Sequence, residues 1–319
     1  MLLSSVMLFS TRLRYYKIQT YYTHLFTLYL DTIFMVYGKS IRLFLIEGEA
    51  SGKWKCELSN WTSLAFKIPR MLLSKCSDRP ELAFTGVYFL IGKDEDLSRD
   101  KVCIGEAEDV LYRLGQHAQN SKEWQDWTDC VVFVSKDDQL NKAMVKYLES
   151  SLYDLAKVSE RCVLVNATRP TKSSLSEPDE AEMDEFLSNL RLLIGSMGYR
   201  FLEPVVSRKQ VESSVVYYLK SKNSTYDCRG IVVDDGFVVL KGSRVSDNIA
   251  PSFKKYGYYR LRVKLVDEGI IVDSIFTRDF HFSSSSAAAS VVIGSNSNGW
   301  RSWKDVDGGA IKYDVGELL

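Results

Sequence analysis

The apolar residues between Gly86 and Val158 change their spacing in a fixed order, and that order constrains the fold more than any other feature of the chain. Two short apolar runs flank the polar loop from Lys93 to Asp100, which is typical of two paired strands. A stripe at helical spacing follows, then a third short run, then a longer amphipathic stretch. The pattern predicts the order β-β-α-β-α and an α/β (α+β) domain with a small mixed β-sheet flanked by helices. The predicted elements are Gly86 to Ile91, Lys101 to Ile104, Glu108 to Gln119, Cys130 to Val134 and Gln139 to Val158.

The length of 319 residues predicts more than one domain, because a single hydrophobic core stops growing efficiently above about 200 residues. The stretch from Pro170 to Asp184 is rich in Ser, Thr and acidic residues, as solvated linkers are, and an apolar helix pattern follows it. Strand patterns return beyond Glu212, with a hairpin signal at Asp235-Gly236. The predicted organisation is a segment set aside at 1–37, a lead-in at 38–84, a first domain at 85–169, a linker and helix at 170–211, and a second, smaller α+β domain at 212–319.

The first 37 residues differ in composition from the rest of the chain, with tyrosines crowded among Leu, Phe and Thr. The apolar stretch from Tyr21 to Tyr37 is shorter than the roughly 20 residues that a membrane-spanning helix needs, and His24 and Asp31 interrupt it. The basic start of a signal peptide is present without the rest of its pattern. We interpret residues 1–37 as an upstream extension, with the biological start near Met35, and we expect no membrane association.

Charge and the metal-binding residue types exclude several classes of site. Lys+Arg and Asp+Glu both number 41, so nucleic-acid binding would depend on local patches and not on net charge. The six cysteines form no C-x-x-C pair, which argues against a zinc site or a disulfide framework and favours a reducing, cytoplasmic compartment. The three histidines lie far apart in sequence, so carboxylates are the better candidates for binding a hard cation.

Two glycine-containing triplets lie on the predicted strands, and polar residues follow them at defined spacings. Gly86-Val87-Tyr88 lies on the first strand and Cys103-Ile104-Gly105 on the second, and Arg113 and His117 follow one turn apart on the predicted helix. The set resembles the paired signatures of the GIY-YIG nuclease family, in which an Arg and then a His follow the second glycine. The resemblance continues with Glu149 on the long helix and Asn166 after it, and covers residues 85–168.

The resemblance implies a divalent-metal-dependent endonuclease that hydrolyses DNA phosphodiester bonds, with RNA left open as a substrate. By the same resemblance the catalytic residues are Tyr88, Arg113, His117 and Glu149, with Glu149 as the ligand of Mg²⁺ or Mn²⁺, and no small-molecule cofactor is expected. Cys103, Gly105 and Asn166 are expected in supporting positions.

These residue types suit the chemistry on physical grounds. Hydrolysis of a phosphodiester needs a nucleophilic water, charge neutralisation on the phosphate and help for the leaving oxygen. A guanidinium such as that of Arg113 binds phosphate oxygens in pairs, and His117 can orient or exchange a proton near neutral pH. Tyr88 as a base requires a nearby cation, because a phenol ordinarily titrates near pH 10.

Cys103 departs from the family pattern, which has a tyrosine there. If that hydroxyl orients the attacking water, a thiol in its place impairs the step but leaves the fold intact. The alternative function is therefore a nucleic-acid-binding or interaction module that has lost cleavage. A redox or nucleophilic role for the thiol is disfavoured, because Cys103 lies between Val102 and Ile104 on a strand and such cysteines usually act as small hydrophobes.

The region after residue 212 contains the segments Val239-Leu240-Lys241-Gly242-Ser243, Ser286-Ala287-Ala288-Ala289-Ser290 and Asn298-Gly299-Trp300. With these segments it resembles the domain of unknown function that is often appended to such nucleases. Tyr258 to Glu268 is predicted to be helical, and Ser283 to Ser286 are predicted to cap an alanine-rich helix that ends near Gly294. Trp300 and Trp303 are predicted to flank a final strand. Basic residues interleaved with tyrosines predict contacts with a nucleic-acid backbone, and an ordinary surface helix is the alternative. These basic residues are Lys254, Lys255, Arg260, Arg262 and Lys264.

Overall fold

The computed structural model describes residues 38–94, 99–120, 124–205, 214–221, 223 and 225–311. The predicted extension at 1–37 lies outside the described residues. Within the described ranges, every helix is either too short or too polar to cross a membrane.

A mixed sheet of seven strands forms the larger layer of the fold. Its strands are β1 (Ile41–Leu45), β2 (Trp54–Leu58), β3 (Ser63–Pro69), β4 (Gly86–Asp94), β5 (Arg99–Ala107), β6 (Asp129–Ser135) and β7 (Cys162–Leu164). The spatial order is β1-β2-β3-β6-β4-β5-β7, and every neighbouring pair is antiparallel except β5 and β7. Three long helices accompany it: α1 (Val110–Gln119), α2 (Lys142–Ser159) and α3 (Glu177–Ser196). The order β4-β5-α1-β6-α2 confirms the predicted β-β-α-β-α arrangement.

The sheet is larger than the sequence predicted, because the supposed lead-in supplies three of its strands. β3 pairs with β6 along its whole length, from Ser63 opposite Ser135 to Pro69 opposite Asp129. β3 is buried on both faces over most of its length, so it lacks the alternation of polar and apolar residues that marks a half-exposed strand. Short apolar runs of that kind do not identify a strand by periodicity alone.

Helices cover both faces of this sheet. On one face, residues of α2 and α3 share a core with Val87, Phe89 and Ile91 of β4. On the other face, α1 packs against the intervening residues Tyr88 and Leu90. The alternation of side chains along β4 therefore separates two cores, and it places Tyr88 on the α1 side.

Side-chain caps set the starts of the helices that carry the predicted site. The Asp109 carboxylate accepts a hydrogen bond of 2.8 Å from the Tyr112 N–H at the start of α1. The Asn141 side chain accepts from the N–H groups of Ala143 and Met144 at the start of α2. Both caps satisfy donors that the first helical turn leaves without partners.

The C-terminal region forms a smaller antiparallel sheet of four strands. Its elements are β8 (Val216–Lys220), β9 (Asp227–Val233), β10 (Gly236–Val239), α4 (Gly257–Asp267), β11 (Ile271–Val272), β12 (Ile275–Phe276), β13 (Phe280–Phe282), α5 (Ser285–Ile293) and the single-turn helix α6 (Gly299–Ser302). The order of the four strands is β13-β10-β9-β8. The predicted hairpin is confirmed, with Gly236 opposite Val233. The predicted final strand between Trp300 and Trp303 is wrong, because Trp300 lies in α6 and only isolated bridges form at Lys304.

Candidate active site

A cavity of about 570 Å³ lies beside the middle of β5. Its wall is formed by side chains of β4, β5, α1 and α2 and by the segment that follows β7. The predicted site residues of the first domain all line it: Tyr88, Cys103, Gly105, Arg113, His117, Glu149 and Asn166. The fold thus brings them together, and their roles in catalysis stay predictions.

Tyr88 and His117 form a buried hydrogen-bonded pair at this wall. Tyr88 Oη lies 2.8 Å from His117 Nε2, and the two rings meet edge to face with centroids 5.5 Å apart. The two residues expose only 3% and 6% of their surfaces. β4 and α1 hold these side chains on packed elements, so the pair is positioned before any ligand arrives.

Gly105 makes room for the Tyr88 ring. The two residues are direct partners across β4 and β5. A Cβ atom at Gly105 would lie 2.8 Å from Cε2 of Tyr88 and closer still to Cζ and Oη. Real Cβ atoms essentially never approach so closely, so a side chain at this position would displace the phenol.

Burial dominates the ionisation of Tyr88. Loss of water raises the pKa of the phenol well above its ordinary value, and the positive charge of Arg113 and a hydrogen bond to it oppose only part of that rise. Tyr88 is therefore a neutral phenol at physiological pH. A phenolate at Tyr88 would therefore require a further cation in addition to Arg113.

Glu149 reaches the same cavity from α2 and holds its proton unusually tightly. Burial is the main cause that raises its pKa to about 7, and the negative charge of Glu106 adds to it, while Lys142 and Lys146 oppose the rise. A carboxylate that titrates at this pH is partly protonated at neutral pH, so the site favours either a proton or a cation there.

Glu106 is a functional candidate that the sequence analysis missed. It lines the cavity from β5, and its carboxylate lies 2.9 Å from the Lys142 ammonium. Its position directly after Gly105 in the second triplet was the available signal. The fold places Glu106 near enough to Glu149 to affect its pKa, and this proximity is not evident from residues so far apart in sequence.

The two carboxylates fit a hard divalent cation better than a transition metal bound by nitrogen or sulfur. Within the described ranges no group of three or more His, Cys, Asp or Glu residues is arranged to hold a metal. Mg²⁺ is usually bound through one or two carboxylates, with waters and substrate phosphates as its other ligands. Glu149, with Glu106 beside it, offers that donor set.

Asn166 ties the segment after β7 to β5. Its side-chain Nδ2 donates to the Ile104 carbonyl at 2.7 Å, and its Oδ1 accepts from the Ile104 N–H at 3.1 Å. The Asn166 side-chain amide therefore extends the parallel hydrogen bonding between β5 and β7 as far as Ile104. This supporting position was predicted, and the hydrogen bonds give it a physical basis.

We expect Asn166→Ala to lower the free energy of unfolding by about 1–3 kcal/mol, because both backbone groups of Ile104 lose their partner. Urea denaturation measures this, with Asn298→Ala as a control at an exposed asparagine that caps no backbone group with its side chain. Unchanged unfolding combined with weakened DNA binding would show instead that Asn166 contacts the substrate directly.

Trp124 forms an aromatic wall of the cavity and was also missed. Its indole packs over Gly92 of β4, where an added Cβ would lie 2.8 Å from Cζ2. Its buried Nε1–H has no hydrogen-bond partner in the described part of the chain. An indole at the edge of this cavity can stack on a nucleic-acid base.

The basic residues predicted near α4 do not form one patch. Lys254, Lys255 and Arg260 are exposed, as a backbone contact requires. Arg262 is buried and donates to the carbonyls of Val291 and Ser246, so it is not available to phosphate. The Lys264 ammonium forms an ion pair with Asp94 at 2.7 Å. None of these five residues lines the candidate cavity.

Comparison with known protein families matches residues 217–313 to DUF4357, a domain of unknown function. The match covers less than a third of the chain. No curated protein and no solved structure matches the chain. The candidate cavity lies outside the matched region, because its last lining residue is Thr171. The family match therefore carries no information about the function of the cavity.

Proposed function

We propose that this protein is a divalent-metal-dependent endonuclease of the GIY-YIG type that hydrolyses phosphodiester bonds in DNA. The observation that carries the proposal is the single cavity shared by Tyr88, Arg113, His117 and Glu149. These side chains come from β4, α1 and α2, and they combine a cation, a carboxylate and two groups that exchange protons. That combination suits phosphodiester hydrolysis.

In this proposal Arg113 binds the scissile phosphate, since its guanidinium can contact two oxygens as charge develops on them. Glu149, with Glu106 nearby, would hold Mg²⁺ or Mn²⁺. When bound, the metal supplies charge neutralisation and a more acidic water. Tyr88 would orient the attacking water and relay its proton: the water proton passes to Tyr88 Oη as the phenol proton passes to His117 Nε2 across the 2.8 Å hydrogen bond. The water oxygen bonds to phosphorus, the P–O bond to the leaving oxygen breaks, and that oxygen takes a proton from solvent.

The proposal is tested by incubating the full chain with supercoiled plasmid in Mg²⁺, in Mn²⁺ or in EDTA. We expect nicking only with metal, and a loss of about 10²-fold or more in Arg113→Ala, as for removal of one donor to a developing oxyanion. A parallel RNA substrate determines whether the activity is confined to DNA. DNA binding without cleavage in either metal would overturn the proposal.

A second candidate function is a nucleic-acid-binding module without cleavage. Cys103 favours it, because this residue lines the cavity where the resembling family has a tyrosine. The raised pKa of Tyr88 points the same way, since a phenol that stays protonated is a poor base.

Cys103→Tyr separates the two functions. If the missing hydroxyl limits hydrolysis, this substitution is expected to raise the nicking rate by about 10²-fold, within the range of a positioned acid or base. Cys103→Ser is the control, because it separates loss of the thiol from gain of the phenol. Cys162→Tyr would not serve, because Cys162 lies on another strand of the core. An unchanged rate in Cys103→Tyr would show that the hydroxyl is dispensable.

A further inference from the structure

A second cavity, of about 280 Å³, lies at the start of β5, where the C-terminal region meets α2. Arg99, Lys157 and Arg278 supply its positive charges, and Glu160 and Glu268 its negative ones. Neither the residues that resemble the nuclease family nor the family match in the C-terminal region assigns a ligand to this cavity.

Arg99 is held in this cavity by stacking. Its guanidinium carbon lies 4.1 Å from the centroid of the Phe280 ring. The Nε atom of Arg99 is buried and has no hydrogen-bond partner within the described ranges. A buried donor without an acceptor is costly, because it has lost its hydrogen bonds to water and gained none in the protein.

The neighbouring charges do not satisfy Arg99. Glu160 is engaged by Arg278, whose Nη1 lies 2.6 Å from its carboxylate. Glu268 attracts Arg99 only at longer range. Burial, with Arg278 as a second cause, lowers the pKa of Arg99 to about 10, so the guanidinium remains charged at neutral pH. The cavity lining therefore has one positive charge more than it has negative charges.

We propose that this cavity binds a phosphate-class oxyanion, with Arg99 as its principal ligand and Arg278 and Lys157 as further cations. A tetrahedral oxyanion supplies the acceptor that the Arg99 Nε lacks, and a guanidinium fixed on an aromatic ring binds it with little loss of entropy.

The anion has two possible sources, a nucleic-acid backbone and a free phosphate compound. Arg99 precedes Cys103 by four residues of β5, or about 13 Å at the usual strand rise. A nucleic-acid strand that enters the candidate active site can span that distance within a few nucleotides. The backbone source rests on the proposed function, whereas the free source does not.

Isothermal titration calorimetry of the full chain in EDTA tests the proposal without cleavage. The probes are inorganic phosphate and a short DNA duplex. We expect Arg99→Met to weaken phosphate binding by about 10-fold or more, the loss of one charge-assisted contact, while methionine still packs on Phe280. Arg99→Lys keeps the charge and should give a smaller loss. Glu268→Gln should tighten binding, because it removes a repulsive carboxylate from the cavity.

Arg301→Met is the matched control, since Arg301 is exposed and lines neither cavity. Equal losses for phosphate and duplex in Arg99→Met support a backbone source, and a loss for phosphate alone supports a free one. Loss of phosphate binding in Arg113→Ala but not in Arg99→Met would overturn this inference and leave the proposed nuclease function standing. Absence of phosphate binding by the unaltered protein would also overturn it.

Discussion

Replacing Glu149 by Gln is expected to reduce metal-dependent cleavage by about 10³-fold, because the loss of a metal ligand removes several kcal/mol of transition-state stabilisation. The same substitution is expected to raise the melting temperature of the metal-free protein at pH 8. The two effects have opposite signs because Glu149 stabilises a bound cation but, without one, is a partly buried negative charge beside Glu106.

The pH dependence follows from the raised pKa of Glu149, which is about 7 in the folded protein against an ordinary 4.5. A raised folded pKa means that the stability contributed by the neutral form is fully present below pH 4.5 and is lost as the pH rises through 7. Glutamine stays neutral and loses nothing. After discounting for the solvent-exposed part of the carboxylate, the gain is on the order of 1 kcal/mol at pH 8, or about 2 °C.

Thermal denaturation in EDTA at pH 5 and pH 8 measures this gain, and the advantage of the variant should be smaller at pH 5. Added Mg²⁺ should stabilise the unaltered protein and leave Glu149→Gln unchanged. Glu182→Gln serves as a control at an exposed glutamate of α3 outside the candidate active site. Equal stabilisation of both proteins by Mg²⁺ would show that Glu149 does not hold the metal.

Gly105→Ala is expected to lower the free energy of unfolding by about 1–3 kcal/mol, the usual cost of forcing an extra group into a packed core. The added methyl would meet the Tyr88 ring and push its hydroxyl away from His117. Cleavage should fall by at least about 10²-fold, since the proton-exchanging pair is disrupted.

Gly115→Ala is the matched control, because Gly115 lies inside α1 and an added Cβ there meets nothing within 4 Å. It is expected to stabilise the protein by about 0.5–1 kcal/mol through helix propensity. Urea denaturation and the plasmid assay measure both variants. Full cleavage by Gly105→Ala would remove Tyr88 from the proposed mechanism.

Local sequence signals predicted the elements that carry the candidate site. The strand and helix periods of β4, β5, α1, β6 and α2 depend on residues within one element, so they could be recognised without any partner. The caps at Asp109 and Asn141 are equally local, but the structure was needed to identify them. The lead-in was misjudged because β3 is buried on both faces and shows no alternation.

The amino-acid sequence by itself determined the order of strands and helices and the types of residue available at the site, because these depend on neighbours along the chain. Only the tertiary structure decided which charged groups meet. It placed Glu106 beside Glu149, buried Arg262 against backbone carbonyls and stacked Arg99 on Phe280. Desolvation and charge pairing depend on distances between residues far apart in sequence, and strand register and helix packing set those distances.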